Sequence, residues 1–244
     1  MTKALDMQER ASKPRKSRGK SRTAEPQMAE PYMSLTEKAY LELEEMIVTL
    51  KLPPGATLSE AGLSMTLGIG RTPIREALHR LAREKLVVVL PQRGILVTEI
   101  NVGAQLKLLE VRRELERLAA KSAARRATEA ELQKFREIAE GLESAAELND
   151  AMKFMRLDRE FNQLLEIAAR NEFLKSVMGV IGPLSRRFWY IHYQRVANVS
   201  LTARLHADMA RAIANRDEAA AQKASDALLD YVEAFTRATL DAWL

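Results

Sequence analysis

The stretch that most constrains the fold runs from Leu58 to Val97: LSEAGLSMTLGIGRTPIREALHRLAREKLVVVLPQRGILV. Its punctuation predicts a helix, a tight turn, a second helix and a two-stranded hairpin. Gly68 ends the first helical pattern, and Ile69-Gly70 supply the turn. Thr72 is of the residue type that caps helix N-termini. Pro73 follows at the first helical position, where a missing N–H costs nothing. Ile74, Ala77, Leu78 and Leu81 then share one face at helical spacing, and Arg71, Arg75 and His79 fall away from it. An apolar back with arginines at the N-terminal end is the form of a helix that reads a DNA major groove. Val87-Val88-Val89 and Ile95-Leu96-Val97 flank Pro91-Gln92-Arg93-Gly94, a hairpin with a basic tip. The segment predicts a winged helix-turn-helix.

The flanking residues complete that domain. Ser34-Leu35-Thr36-Glu37 has the spacing of a capping box. It opens a helix to about Leu50 with Ala39, Leu43, Ile47 and Leu50 on the buried stripe, and Pro53-Pro54-Gly55 stops it. Leu58 leads into the second helix, with Ser59 at its N-cap and Leu63 and Leu67 facing inward. The domain spans residues 34–100, with three helices and a two-stranded wing.

Charge is unevenly placed. Of the formal net +5, residues 1–33 hold eight Lys/Arg against four Asp/Glu, whereas residues 34–100 hold eight of each. The basic balance therefore comes mainly from the tail, and DNA affinity must rest on where a few cations stand. Residues 1–33 lack apolar periodicity and include the run Lys13 to Arg22, so they predict a disordered basic tail. Two readings stay open there, an arm that adds non-specific phosphate contacts and a solvated tail without a role.

Residues 101–244 show helical patterns only. Asn101 caps a helix to about Ala127, with Leu106, Leu109, Leu115 and Leu118 at its apolar positions. Thr128-Glu129-Ala130-Glu131 is a second capping box, for a helix to about Leu148. Asn149-Asp150 cap a third, to about Arg170. Residues 172–196 predict a helix or helix pair interrupted near Gly179 to Pro183. Ser200 caps the next helix, to about Asn215, and Asp217 opens the last, to about Trp243. Six or seven helices without a strand predict an antiparallel all-α bundle. The fold class is mainly α, a winged helix-turn-helix joined to that bundle.

The string GRTPIREALHRLAREKLV, followed by PQRG and a Val, resembles the DNA-binding domain of the GntR family of bacterial transcriptional regulators. LLEVRRELERLAAKSAARRAT, LDREFNQLLEIAARN and LHADMARAIANRDEAAA resemble the FCD domain of its FadR-like subfamily, an all-helical effector-binding and dimerisation half. The resemblance implies that Arg71, Thr72, Arg75 and the Arg93-Gly94 wing tip contact DNA. Chemistry agrees: Arg can bond two acceptors of guanine at once, a helix N-terminus with a hydroxyl can hold phosphate, and Gly94 permits close backbone approach. Two positions depart from the family pattern. Ala61 stands where the family often has arginine, and Gly70 where it usually has Ser or Thr.

Many FCD domains bind a divalent metal through one Asp and three His. Here the corresponding positions read Asp158, Asn162, His206 and Leu228, so two of the four ligand types remain. That set predicts no cofactor and no tightly held metal, since closed zinc sites use four good donors; a weak divalent site completed by water or effector oxygens stays open. Arg112 corresponds to an inward arginine of the family that can pair with a carboxylated ligand, and Arg113 points about 100° away around the helix. The effector-binding candidates are thus Arg112, Asp158, Asn162 and His206. Ser185 to Tyr193 is the densest aromatic-basic patch, with Arg187, Trp189 and His192 as further pocket candidates and Phe188 as packing.

The expected function is a sequence-specific transcriptional regulator, in sense a repressor, whose binding to a palindromic double-stranded DNA operator as a homodimer responds to a small carboxylated effector. The alternatives are an effector-independent DNA-binding protein and an enzyme using the helical half. The sequence contains no nucleophile–base motif and no Gly-rich phosphate loop. It has no cysteine, which excludes disulfides and thiolate metal sites and suits a reducing compartment. No apolar run reaches spanning length, so the expected setting is cytoplasmic, without a membrane partner.

Overall fold

A computed structural model describes residues 33–90 and 94–241, with backbone only for 195, 196, 240 and 241. The basic run of the tail, the wing-tip Arg93 and Trp243 lie outside the described residues.

The N-terminal domain is built on local signals. Helix α1 (Leu35–Val48) starts at Ser34, whose hydroxyl accepts from the Glu37 N–H at 3.1 Å. It ends two residues before Leu50, which takes a positive φ of 59° and is only half-buried. Strand β1 (Thr57–Leu58) leads into α2 (Glu60–Leu67), capped by Ser59 and closed by Gly68 at φ 64°. A left-handed C-terminal residue carries little strain only when it is glycine. Helix α3 (Arg71–Arg83) has Gly70 at its N-cap, so Thr72 lies inside the first turn and does not cap it. Strands β2 (Val87–Leu90) and β3 (Gly94–Val97) pair antiparallel, Val87 opposite Val97 and Leu90 opposite Gly94. The expected two-stranded wing is a three-stranded sheet in the order β1-β3-β2. Thr57 and Leu58 pair with Leu96 and Ile95, a strand too short to show alternation in sequence.

The core of this domain gathers Ala39, Leu43, Ile47, Leu63, Ile74, Ala77, Leu78, Leu81, Leu86, Val87 and Val97. Every apolar position read from α3 is buried. Arg80 turns inward over the Tyr40 ring at 3.5 Å and pairs with Glu37 and Glu84. It thereby ties α3 to α1 instead of facing outward.

Among the described residues six helices follow: α4 (Val102–Arg126), α5 (Glu129–Leu148), α6 (Ala151–Ala168), α7 (Glu172–Val196), α8 (Val199–Ala214) and α9 (Glu218–Asp241). Asn101, Thr128, Asp150 and Asn171 cap the first four through their side chains, and Thr128 with Glu131 forms the reciprocal box. Asn198, not Ser200, caps α8, while the Ser200 hydroxyl donates to the Ala146 carbonyl. Helix α8 packs against α5 and α9, and α4 against α9. Runs of buried alanine, among them Ala119, Ala120, Ala123, Ala203, Ala207 and Ala210, let these axes approach closely.

Two expectations for the bundle change. Leu118 is 46% exposed; the inward face of α4 holds Arg112 and Glu116 instead. And residues 172–196 form one continuous helix, with Pro183 inside it. The ring removes the hydrogen bond to the Gly179 carbonyl without stopping the helix. Helix α7 also reaches the N-terminal domain: Leu184 packs on its core. No helix among the described residues is long and apolar enough to cross a membrane.

Candidate DNA interface and candidate effector cavity

Helix α3 presents one outward face. Arg71, Thr72, Arg75 and His79 are exposed there, opposite the buried Ile74, Ala77 and Leu78. No side chain caps the helix start, so the N–H groups of its first turn are open to a phosphate. Arg75 forms a two-pronged ion pair with Glu60 of α2, both bonds at 2.8 Å. That pair occupies Nε and Nη2, the edge of the guanidinium that a base edge or phosphate would also use. Gly94 opens β3 at φ 87°, a conformation that favours glycine. Ala61 is on α2, one residue from Glu60, and offers no cation beside Arg75.

Inside the bundle a cavity of about 50 Å3 opens between α4, α6, α7, α8 and α9. By this measure one water needs about 10–15 Å3, so the space admits a few waters or the head of a small ligand. All four effector-binding candidates line it: Arg112, Asp158, Asn162 and His206. Their partners are internal. Arg112 donates to Glu116, one turn along its own helix, at 2.6 Å. Its charge is therefore already matched. Arg113 turns to α9 and pairs with Asp230 at 2.7 Å.

His206 bonds through Nε2 to Asp158 at 3.0 Å and through Nδ1 to the Thr202 carbonyl at 2.8 Å. Asn162 donates its amide to the same Asp158 carboxylate at 2.9 Å. Burial by itself raises the Asp158 carboxyl, but the bond and charge of His206, with Arg186 and Arg112 nearby, hold it below the usual carboxylate range. This donor set does not fit a divalent metal. Both ring nitrogens of His206 are engaged by oxygen, the amide of Asn162 offers the carboxylate its nitrogen, and Leu228 is an apolar side chain fully inside the core. Among the described residues no three His, Cys, Asp or Glu side chains group as ligands.

The aromatic-basic patch divides among three tasks. Phe188 and Trp189 line the cavity. Trp189 stacks on Tyr193 with ring centroids 4.8 Å apart, and His192 is buried against Phe188. Arg187 faces the interdomain linker, donating to Thr98 O and Oγ1 and to Glu99 O at 3.0–3.4 Å. Burial there lowers its guanidinium to about 10. Among the lining residues that sequence reasoning did not single out are Ser185, Arg186 and Glu166. Arg186 donates to Glu44 of α1, 142 positions away, a separation that spacing rules do not reach.

This combination defines a class. A winged helix-turn-helix with arginines at the start of its outward helix, followed by a helical bundle with an internal, mainly apolar cavity that holds a few charged and polar groups, is the arrangement of a DNA-binding regulator. Residues 35–97 match the family model described as bacterial regulatory proteins, gntR family. Residues 107–231, half of the chain, match the FCD domain. The chain belongs to the GntR family and carries an FCD domain; it is a transcriptional regulator. The HTH-type transcriptional repressor RspR of Escherichia coli is 27% identical over 194 residues, covering 80% of this chain and 85% of its own. The Nta operon transcriptional regulator of Aminobacter aminovorans is 28% identical over 194 residues, covering 77% and 91%. The solved structure of E. coli McbR/YncC superimposes with a TM-score of 0.73 at 22% identity, over 86% of this chain and 100% of that one, a likeness of fold. Family and relatives are regulators of transcription, not enzymes.

Proposed function

We propose that the chain is a homodimeric repressor that binds a palindromic operator and responds to a small carboxylated effector held in the bundle. The observation that carries the proposal is the pairing of an exposed, arginine-bearing face on α3 with a cavity inside the helical domain whose apolar walls hold a few charged and polar groups. Arg71, Thr72 and Arg75 supply the major-groove and phosphate contacts, and Arg93 and Gly94 those of the wing. The repressor sense is supported by the role in the name of RspR. A dimer places two copies of α3 on successive half-sites of a palindrome. Arg112, Asp158, Asn162 and His206 line the effector space, and the bundle works without a tightly held metal. A cavity at these residues favours this reading over an effector-independent DNA-binding protein.

Gel shifts with the operator region test it. Arg71→Ala and Arg75→Ala are each expected to abolish specific binding while far-UV circular dichroism stays unchanged. Retained operator specificity in both variants would remove α3 as the reading element.

A further inference from the structure

One guanidinium belongs at once to the cavity and to the contact between the two domains. Arg186 of α7 lines the cavity and donates to Glu44 of α1. Glu44 is only 2% exposed, and its second oxygen takes Arg159 of α6 at 2.9 Å. Arg159 lines the groove beneath α1 and not the cavity. A carboxylate buried this deeply requires a counter-charge, and Glu44 has two. Among the described residues Arg186 pairs with no carboxylate besides Glu44.

Beside Arg186 stand two polar groups with nothing to bond. Ser185 Oγ and Trp189 Nε1 are buried, lack hydrogen-bond partners and belong to residues lining the same cavity. An indole N–H can only donate, and a hydroxyl can donate too. Buried donors without acceptors are unfavourable until something supplies oxygen. The other cavity arginine, Arg112, has its charge paired with Glu116 of its own helix through Nε. Apolar walls complete the space: Phe154, Met178, Phe188 and Phe235.

We infer that Ser185, Arg186 and Trp189 form the seat for the carboxylate of a small ligand with an apolar body, and that this ligand takes Arg186 from Glu44. The inference rests on the effector reading of the cavity proposed above. When Arg186 turns to the ligand, Glu44 keeps Arg159, so no buried charge is left bare. What is lost is an ion pair tying α1 to α7. Ligand and DNA-binding domain then compete for one guanidinium. Linkage makes the competition reciprocal: weakening the hold of Glu44 on Arg186 tightens ligand binding, and strengthening it loosens ligand binding.

The full chain is titrated with straight-chain monocarboxylates from acetate to octanoate and with benzoate, each beside its uncharged amide. Melting temperature reports binding, and calorimetry gives Kd. Acids but not amides are expected to raise the melting temperature. Glu44→Gln lies outside the cavity and should tighten Kd about fivefold or more. Arg159→Gln also lies outside it and should weaken Kd by a comparable factor, because Glu44 then depends on Arg186 alone. Arg186→Gln should abolish the shift. If Glu44→Gln does not fold, Arg159→Gln carries the sign test by itself. Acid binding with Kd unchanged in the outside variants overturns the exchange and leaves the effector reading standing. Binding that survives Arg186→Gln overturns the seat, and amides that bind as well as acids overturn the ligand class. If no probe binds, the carboxylate reading of the cavity falls and the inference falls with it.

Discussion

Glu166 of α6 lines both the cavity and the groove beneath α1. Burial pushes its carboxyl from 4.5 up to about 7, against the pull of Lys175 and Arg186 and with a further push from Glu84. In the unfolded chain the same group titrates near its ordinary value. Between these two pH values the folded chain holds a proton that the unfolded chain has released. Stability is therefore greatest below about pH 4.5 with respect to this group, falls as pH rises, and levels off above about 7. Each tenfold change in proton affinity is worth ~1.4 kcal/mol, so the full displacement corresponds to about 3 kcal/mol. Glu166 is partly open to solvent, and screening reduces this to about 1–2 kcal/mol. Glu166→Gln keeps the shape of the neutral form and removes the charge. Urea unfolding of both proteins at pH 5, 6, 7 and 8 measures the difference. The glutamine variant should gain on the parent as pH rises, by about 1–2 kcal/mol between pH 5 and 8. A difference that stays constant, or that shifts in favour of the parent at high pH, would refute the reasoning.

Further outcomes follow from single contacts. Glu60→Gln removes an acidic neighbour of Arg75 on an exposed face; DNA binding should strengthen on operator and random duplexes alike, with the melting temperature nearly unchanged, as read by fluorescence anisotropy and calorimetry. Phe161 is fully buried and meets Phe135 and His206 edge-on; Phe161→Ala should lower unfolding free energy by about 3–5 kcal/mol in urea titrations. Thr128→Ala deletes one half of the capping box of α5 and should lower it by about 1 kcal/mol. Protein grown with added zinc should carry far less than one metal per chain in elemental analysis after desalting, and a stoichiometric metal would contradict the engaged state of His206.

What could be read from the sequence was what neighbouring residues decide together. Ser34, Ser59, Asn101, Thr128 and Asp150 all cap the helices assigned to them, because a cap bonds an N–H three residues away. The buried stripe of α3 was equally legible, since one face of one helix contains it. Helix α4 misled at Leu118 because periodicity marks apolar positions, whereas its inner face carries an Arg112–Glu116 ion pair. Thr72 misled because the turn at Gly68 to Gly70 starts the helix two residues earlier. Strand β1 has no pattern of its own and exists only by pairing with β3. The Glu44–Arg186 pair joins residues whose proximity is made by the whole fold, and nothing local marks either as special.

Pro183 bears on all of this through mechanics. A helix behaves as a stiff rod so long as its hydrogen-bond ladder is unbroken, and bending concentrates where a rung is missing. In α7 the missing rung falls between Gly179 and Pro183, and the space beside Gly179 and Gly182 is open. Leu184, Arg186 and Arg187, which touch the other domain, come immediately after it. The soft joint of the rod thus lies next to its load, not at a distant end. The expected consequence is leverage: a displacement of a fraction of an ångström beside the cavity becomes an angle at the joint. Acting over the width of the DNA-binding domain, that angle becomes a larger shift in the position of α3.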